Sequence, residues 1–377
     1  MMKAIAIHLH PAEATRLVQE TVAGIRPLDA PAMAAARARQ DRLTKPPGSL
    51  GRLEELAIKL AGIIGWPLPR RLAKVVVTCA ADHGVAAEGV SAYPAAVTAQ
   101  MVYNFVRGGA AINVLARQAG ARVVVADLGV ATDLPPELPI VHAKLGYGTA
   151  NLAQGPAMSP EQAVASIATG IRIVARCAAR GRPMIFGTGD MGIGNTTASS
   201  AIVAALTGAP VRDVTGRGTG IDDAGWRRKV AVIERALALN RPDPHDALDV
   251  LAKVGGFEIG AIAGVILGAA ARRAPVVLDG FISGAGALIA AGLCPPVRDY
   301  LIAAHSSVEI GHRLMLEQLE LAPLLNLQLR LGEGTGAALA MPLIDDALAI
   351  LHQMATFEEA GVSDRADATG APMAHTL

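Results

Sequence analysis

A chain of 377 residues carrying 34 basic and 33 acidic side chains, net charge +1, has no basic stripe with which to neutralise phosphates along a strand. That excludes a nucleic-acid or acidic-membrane partner as its organising purpose and favours a small-molecule ligand. Aromatics make up 3% while glycine counts 40, so the interior is expected to consist of Ala, Val, Leu and Ile around closely approaching backbones, in two or three average domains or one large α/β unit with an appendage.

In chain order, Met1 to His10 is a short apolar run broken by His8 and His10 with no cleavage-site pattern, so no export signal is expected. Pro11 to Arg42, rich in Ala, Arg and Gln, reads as helix. A Pro/Gly bend from Thr44 then feeds a second helix ending near Ile64, with Ser49 as its N-cap. Residues 1–72 show no strand and are expected to form a helical subdomain. From Ala73 the style changes to short apolar runs, each entering a polar loop. Val75–Thr78 leads to Asp82-His83-Gly84, Val123–Val125 to Asp127-Leu128-Gly129, and Pro183–Phe186 to a loop from Gly187 to Gly192. Val276–Leu278 leads to Asp279-Gly280, Tyr300–Ile302 to His305-Ser306-Ser307, and Leu327–Leu331, the end of an alternating run from Leu324, to Gly332-Glu333-Gly334-Thr335-Gly336. Apolar strands alternating with helices predict an α/β fold over residues 73–364: a parallel sheet flanked by helices in a Rossmann-like three-layer arrangement. Ligands of such sheets bind beyond the carboxyl ends of the strands, the edge these loops share. Ile259 to Ala271 is too short to cross a bilayer and reads as a buried helix. The tail, 365–377, reads as disordered. Cys79, Cys177 and Cys294 have no paired spacing, which predicts reduced thiols and a cytoplasmic protein.

Among the loops, Glu333 between glycines is the candidate for chemistry, since nothing bulky shields its carboxylate. A turn whose Glu caps the next helix is an equally open reading on the residues alone. Gly187 to Thr197 is the densest glycine motif; its amides and the following helix dipole suit a phosphate. It departs from a dinucleotide fingerprint because no acidic strand end stands at the right distance. It departs from a P-loop because Asn195 occupies the lysine position. A second stretch, Thr215 to Gly225, precedes Arg227, Arg228 and Lys229, which either complete a phosphate site or form a solvated face. No metal constellation is expected. Asp345-Asp346 sit side by side in a helix, and His305 and His312, two turns apart on a predicted helix, have no third ligand. A nucleotide-binding oxidoreductase and a non-catalytic binding module stay open at this level.

Taken together, KPPGSLGRLEELA from Lys45, ADHGVAAEGVSAYPAAVTAQMVYNF from Ala81, GTGDMGIGNTTASSA from Gly187, GRGTGIDDAG from Gly216, LDGFISGAGAL from Leu278, AAHSSVEIGH from Ala303 and LRLGEGTGAALAMPL from Leu329 resemble one family. That family is the nicotinate-nucleotide:dimethylbenzimidazole phosphoribosyltransferases of cobalamin lower-ligand assembly. The resemblance implies transfer of phosphoribose from nicotinate mononucleotide to 5,6-dimethylbenzimidazole without a cofactor. It also implies a smaller helical domain assembled from the chain ends, and a homodimer. It assigns the general base to Glu333, and the nucleotide and its phosphate to Asp190, Gly192, Ile193, Gly194, Asn195, Thr196, Gly218, Lys229, Gly280 and Ser307. The acceptor base falls to Ser91, Tyr93, Gln100, Met191 and Leu331. The family commonly carries Glu where this chain has Asp190, one methylene shorter. Transferases that use phosphoribosyl pyrophosphate favour paired acids after an apolar run, whereas Val276–Asp279 is followed by Gly280.

Overall fold

The computed structural model describes residues 4–179 and 181–364; the C-terminal tail read as disordered lies outside them. Seven strands, β1 (Ile5–Ala6), β2 (Ala73–Ala81), β3 (Ala121–Gly129), β4 (Val141–His142), β5 (Met184–Met191), β6 (Val276–Leu278) and β7 (Leu301–Ala303), form one sheet in the order β1-β4-β3-β2-β5-β6-β7. Every pairing recorded between them is parallel, and helices flank the sheet. From β2 the chain works outward through β3 to β4, then returns to β2's other side with β5 and continues through β6 and β7. The strand order therefore reverses between β2 and β5, where an open α/β sheet leaves a crevice for ligand.

Burial on both faces explains why Val75, Val76 and Val77 form a continuous apolar run, none of them more than 2% exposed. The Phe257–Ala270 helix is buried at every position. It lies so close to the Pro160–Ala178 helix that a Cβ on Gly170 would overlap the Ala261 carbonyl, and one on Gly264 the Ile167 carbonyl. These contacts account for part of the glycine content.

The chain forms two compact units, one of residues up to Pro27 with Leu72–Pro342, the other of Leu28–Arg71 with the described residues from Leu343. In the smaller unit, Arg39 donates to the Leu351 and Met354 carbonyls, and Lys45 pairs with the buried Glu54 at 2.7 Å. Among the described residues the Thr335–Gln353 helix alone is long and apolar enough to cross a membrane; 56% of its apolar window is buried, as in a core helix.

Several elements differ from expectation. The N-terminal stretch contributes a strand, β1, which pairs with β4. The helix expected over Pro11 to Arg42 is two, Pro11–Ala23 and Ala30–Arg42. Gly24 ends the first, Pro27 cannot donate an amide, and Asp29 caps the second through Ala32 N. Ser49 is not the N-cap of Arg52–Ile64, whose N-cap is Gly51; the Glu54 carboxylate reaches back to the Gly48 and Leu50 amides instead. Gly187 to Met191, expected as loop, continue β5. The expected strand ending at Leu331 does not form. Leu324 and Leu325 follow the end of β7, and the chain then leaves the sheet, with Leu327 and Leu331 more than half exposed. Alternation makes a strand only where one face is buried. His305 lies in the loop after β7, while His312 is on the Gly311–Gln318 helix.

Candidate active site

Gly332, Glu333 and Gly334 have φ of 85°, 65° and 97°, three successive left-handed residues of which the middle one carries a side chain. Such a backbone persists only where its surroundings hold it. The Glu333 amide donates to the Asp190 carbonyl at 3.2 Å, and Thr78 Oγ1 donates to the Glu333 carbonyl at 2.9 Å. This contact explains glycine inside β5, because a Cβ on Gly189 would overlap the Glu333 carbonyl. Glu333 is not the cap of the helix that follows. Asp279, at the end of β6, accepts the amides of Gly334 (2.9 Å), Gly336 (2.6 Å) and Ala337 (3.4 Å) at the start of that helix. Glu333 is a buried residue, and its carboxylate accepts the Ile112 amide at 3.1 Å, in the first turn of the Ala111–Ala119 helix. Burial raises its pKa above the usual carboxylate value, and the Ile112 amide partly opposes the rise.

Beside this loop lies a cleft of about 310 Å³. Its wall takes in Tyr93, Asp190, Met191, Gly192, Ile193, Asn195, Thr196, Gly218, Gly280, Ser307 and Leu331 of the expected site residues. Glu333 adjoins the wall through its neighbour Gly332. Gly194, with φ 99°, is the N-cap of the Asn195–Thr207 helix, whose N-terminus has no side-chain cap; an anion in the cleft meets the positive end of that helix dipole. Behind the wall, Lys229 is fully buried and donates to Thr196 Oγ1 at 2.8 Å. Burial lowers its pKa to about 8, opposed by the charge of Glu309, so the site holds a desolvated ammonium suited to an anionic ligand. Ser91 Oγ lies 3.3 Å from Thr219 Oγ1, and Thr219 lines the cleft. Gln100 is exposed on the Ala96–Arg107 helix and is not part of the wall.

The acidic side of the cleft is a group of buried carboxylates. Burial and then the charge of Asp279 push Asp190 well above its ordinary range, against the bond from Asn195 Nδ2 at 3.0 Å. Burial brings Asp279 up to about 7, with the three amides opposing. The histidines beside them are neutral bases. Ser307 N donates to His312 Nδ1 at 3.0 Å, and burial takes His312 down to about 3. His305, also lowered by burial, stands with Nε2 3.8 Å from Asp279 Oδ1. Among the described residues no group of three or more His, Cys, Asp or Glu is arranged to hold a metal.

Sequence reasoning did not single out Asp279, Glu309, Arg330 or Thr219. Asp279 did carry a signal, an acid at a strand's carboxyl end. Arg330, which donates to the Gly218 carbonyl at 2.9 Å, had none.

The family model described as Phosphoribosyltransferase matches residues 25–362. The nicotinate-nucleotide–dimethylbenzimidazole phosphoribosyltransferase of Roseiflexus sp. strain RS-1 is 62% identical over 351 residues, 93% of this chain and 99% of that one. The protein of the same name from Chloroflexus aggregans is 61% identical over 352 residues, again 93% and 99%. The crystal structure of CobT from Thermus thermophilus superposes with a TM-score of 0.84 at 53% identity, covering 88% of this chain and 99% of that one. With relatives this similar over nearly their whole length, and the loops after β5, β6 and β7 lining one cleft, the chain belongs to the nicotinate-nucleotide–dimethylbenzimidazole phosphoribosyltransferase family.

Proposed function

We infer that this chain transfers phosphoribose from nicotinate mononucleotide to 5,6-dimethylbenzimidazole, giving α-ribazole 5′-phosphate and nicotinate. The observation that carries the reading is a carboxylate held in a strained loop beside a cleft with an uncapped helix N-terminus and a buried lysine. In this reading the 5′-phosphate occupies the Gly192–Thr196 turn, with Gly218, Gly280 and Ser307 around it and Lys229 behind, while the benzimidazole lies toward Tyr93, Met191 and Leu331. Asp190 borders both. The pyridinium of the donor departs with its nitrogen uncharged and needs no acid. The attacking benzimidazole nitrogen becomes positive, and loss of the proton on its other nitrogen relieves that charge. Glu333 takes this proton, and its raised pKa makes it a better base than an exposed carboxylate. Direct displacement inverts the anomeric carbon, which turns a β donor into an α product. Holding the two substrates in line lowers the barrier further, an effect worth up to roughly 7 to 11 kcal/mol.

The test is incubation of the purified protein with both substrates and a chelator, with the product followed by mass and chromatography. Product establishes the reaction and its independence of free metal together; binding of both substrates without product overturns the reading in favour of a binding module. We further propose a cytoplasmic homodimer. Three free cysteines fit a reducing compartment, and light scattering at the mass of one chain overturns the dimer.

A further inference from the structure

We propose that Asp279 is a positioning residue for the reaction: from the end of β6 its carboxylate gathers the amides of Gly334, Gly336 and Ala337 and thereby fixes the backbone that presents Glu333. The proposal rests on Glu333 being the base. Three features carry it. The Asp279 side chain is fully buried, a costly place for a carboxylate unless something there uses it. Both of its oxygens accept amides of the Glu333 segment, Oδ2 from Gly334 and Oδ1 from Gly336 and Ala337, so an amide side chain of the same size serves on one side only. The segment so held is the run of left-handed residues around Glu333, whose further ties beyond its own turn and helix are single bonds to Asp190, Thr78 and, through the Glu333 carboxylate, Ile112. Asp279 therefore acts as a helix cap supplied from the end of β6, and the segment it caps carries the base.

The groups facing Asp279 are Glu333 and Asp190, with Glu258 acting on Asp190 in turn, and His305 from the loop after β7 with His312 behind it. Turnover needs Glu333 ionised to take a proton and Asp279 ionised to accept three amides. Burial raises both groups, so the acidic limb of kcat drops with a slope approaching about two protons.

The experiment is steady-state kinetics of Asp279→Asn across pH, beside Glu333→Gln and with melting curves of each. For Asp279→Asn we expect kcat to fall by about 10- to 100-fold, KM for nicotinate mononucleotide to stay within about threefold, and the acidic limb to relax to a slope of about one proton. A kcat within about twofold of the parent, or a loss shared by KM with the limb unchanged, overturns the proposal. Full turnover by Glu333→Gln instead overturns the base assignment, so the two failures are distinguishable. If Asp279→Asn does not fold, amide exchange of the unmodified protein decides. Protection of residues 332–337, corrected for intrinsic rates, is expected to drop between about pH 8 and pH 5.5 while that of Phe257–Ala270 holds; unchanged protection of 332–337 overturns the proposal.

Discussion

The two glycine-rich loops at the carboxyl edge of the sheet look alike in sequence and are built oppositely. Around Gly192 the backbone turns, a helix starts without a side-chain cap, and the buried cation stands one residue back, behind Thr196. Around Glu333 the amides from Glu333 to Ala337 are already engaged, by Asp279, by the Asp190 carbonyl or by the Gly332 carbonyl, and the charge sits on the loop itself. One loop leaves hydrogen-bonding capacity for a ligand; the other uses its own to hold one side chain still. Glycine content alone does not separate a ligand cradle from a catalytic mount. What separates them is where the backbone donors point.

This division breaks most directly at Glu333. Glu333→Gln is expected to lower kcat by about 10²- to 10⁴-fold while calorimetry shows nicotinate mononucleotide still bound; retained turnover would erase the difference between the loops. Lys229→Ala is expected to raise the Kd for the nucleotide by roughly 10- to 100-fold and to leave benzimidazole binding nearly unchanged, since a hydrogen bond to a charged group is lost. Equal weakening of both ligands refutes a phosphate role. A pH series sharpens the contrast more gently. Glu333 must be ionised, and its pKa is raised, so activity is lost as pH falls through a value above the ordinary 4.5. Lys229 must be charged and its pKa is lowered, so nucleotide affinity is lost as pH rises through about 8. The smallest effect on catalysis is expected away from both loops. Gly264→Ala, where a Cβ would overlap the Ile167 carbonyl, destabilises the fold by about 1–3 kcal/mol in a denaturant titration, with kcat of the folded fraction unchanged.

Much of this was legible in the sequence because burial writes itself into the strands. Val75–Val77 and Val276–Leu278 read as two-sided core strands, and they placed the polar loops on one edge. The segment from Leu324 misled for a local reason: its alternation is real, but no buried face receives the leucines beyond Leu325. Gly187 and Gly189 misled in the other direction. Their low strand propensity reads as loop, whereas the approach of the Glu333 carbonyl demands glycine within β5. Lys229 was legible through family resemblance alone, because a lysine after two arginines reads as a solvated face until its burial is seen. The partners of Asp279 and Glu333 lie 55 and 221 residues away in the chain, and no single-sequence pattern links such positions.

The bond from Thr78 to the Glu333 carbonyl spans 255 residues, and that span has a consequence for synthesis. At roughly 5–20 residues per second, the central strand leaves the ribosome on the order of tens of seconds before the segment that must close against it. Late in that interval, once Gly189 and then Asp279 have been made, the emerging sheet has a gap over Gly189 and a carboxylate at Asp279 still without its amides, with the segment that supplies both not yet made. Activity therefore arrives as one of the last events of translation, and a nascent chain halted before Glu333 would be inert whatever part of its sheet had already formed.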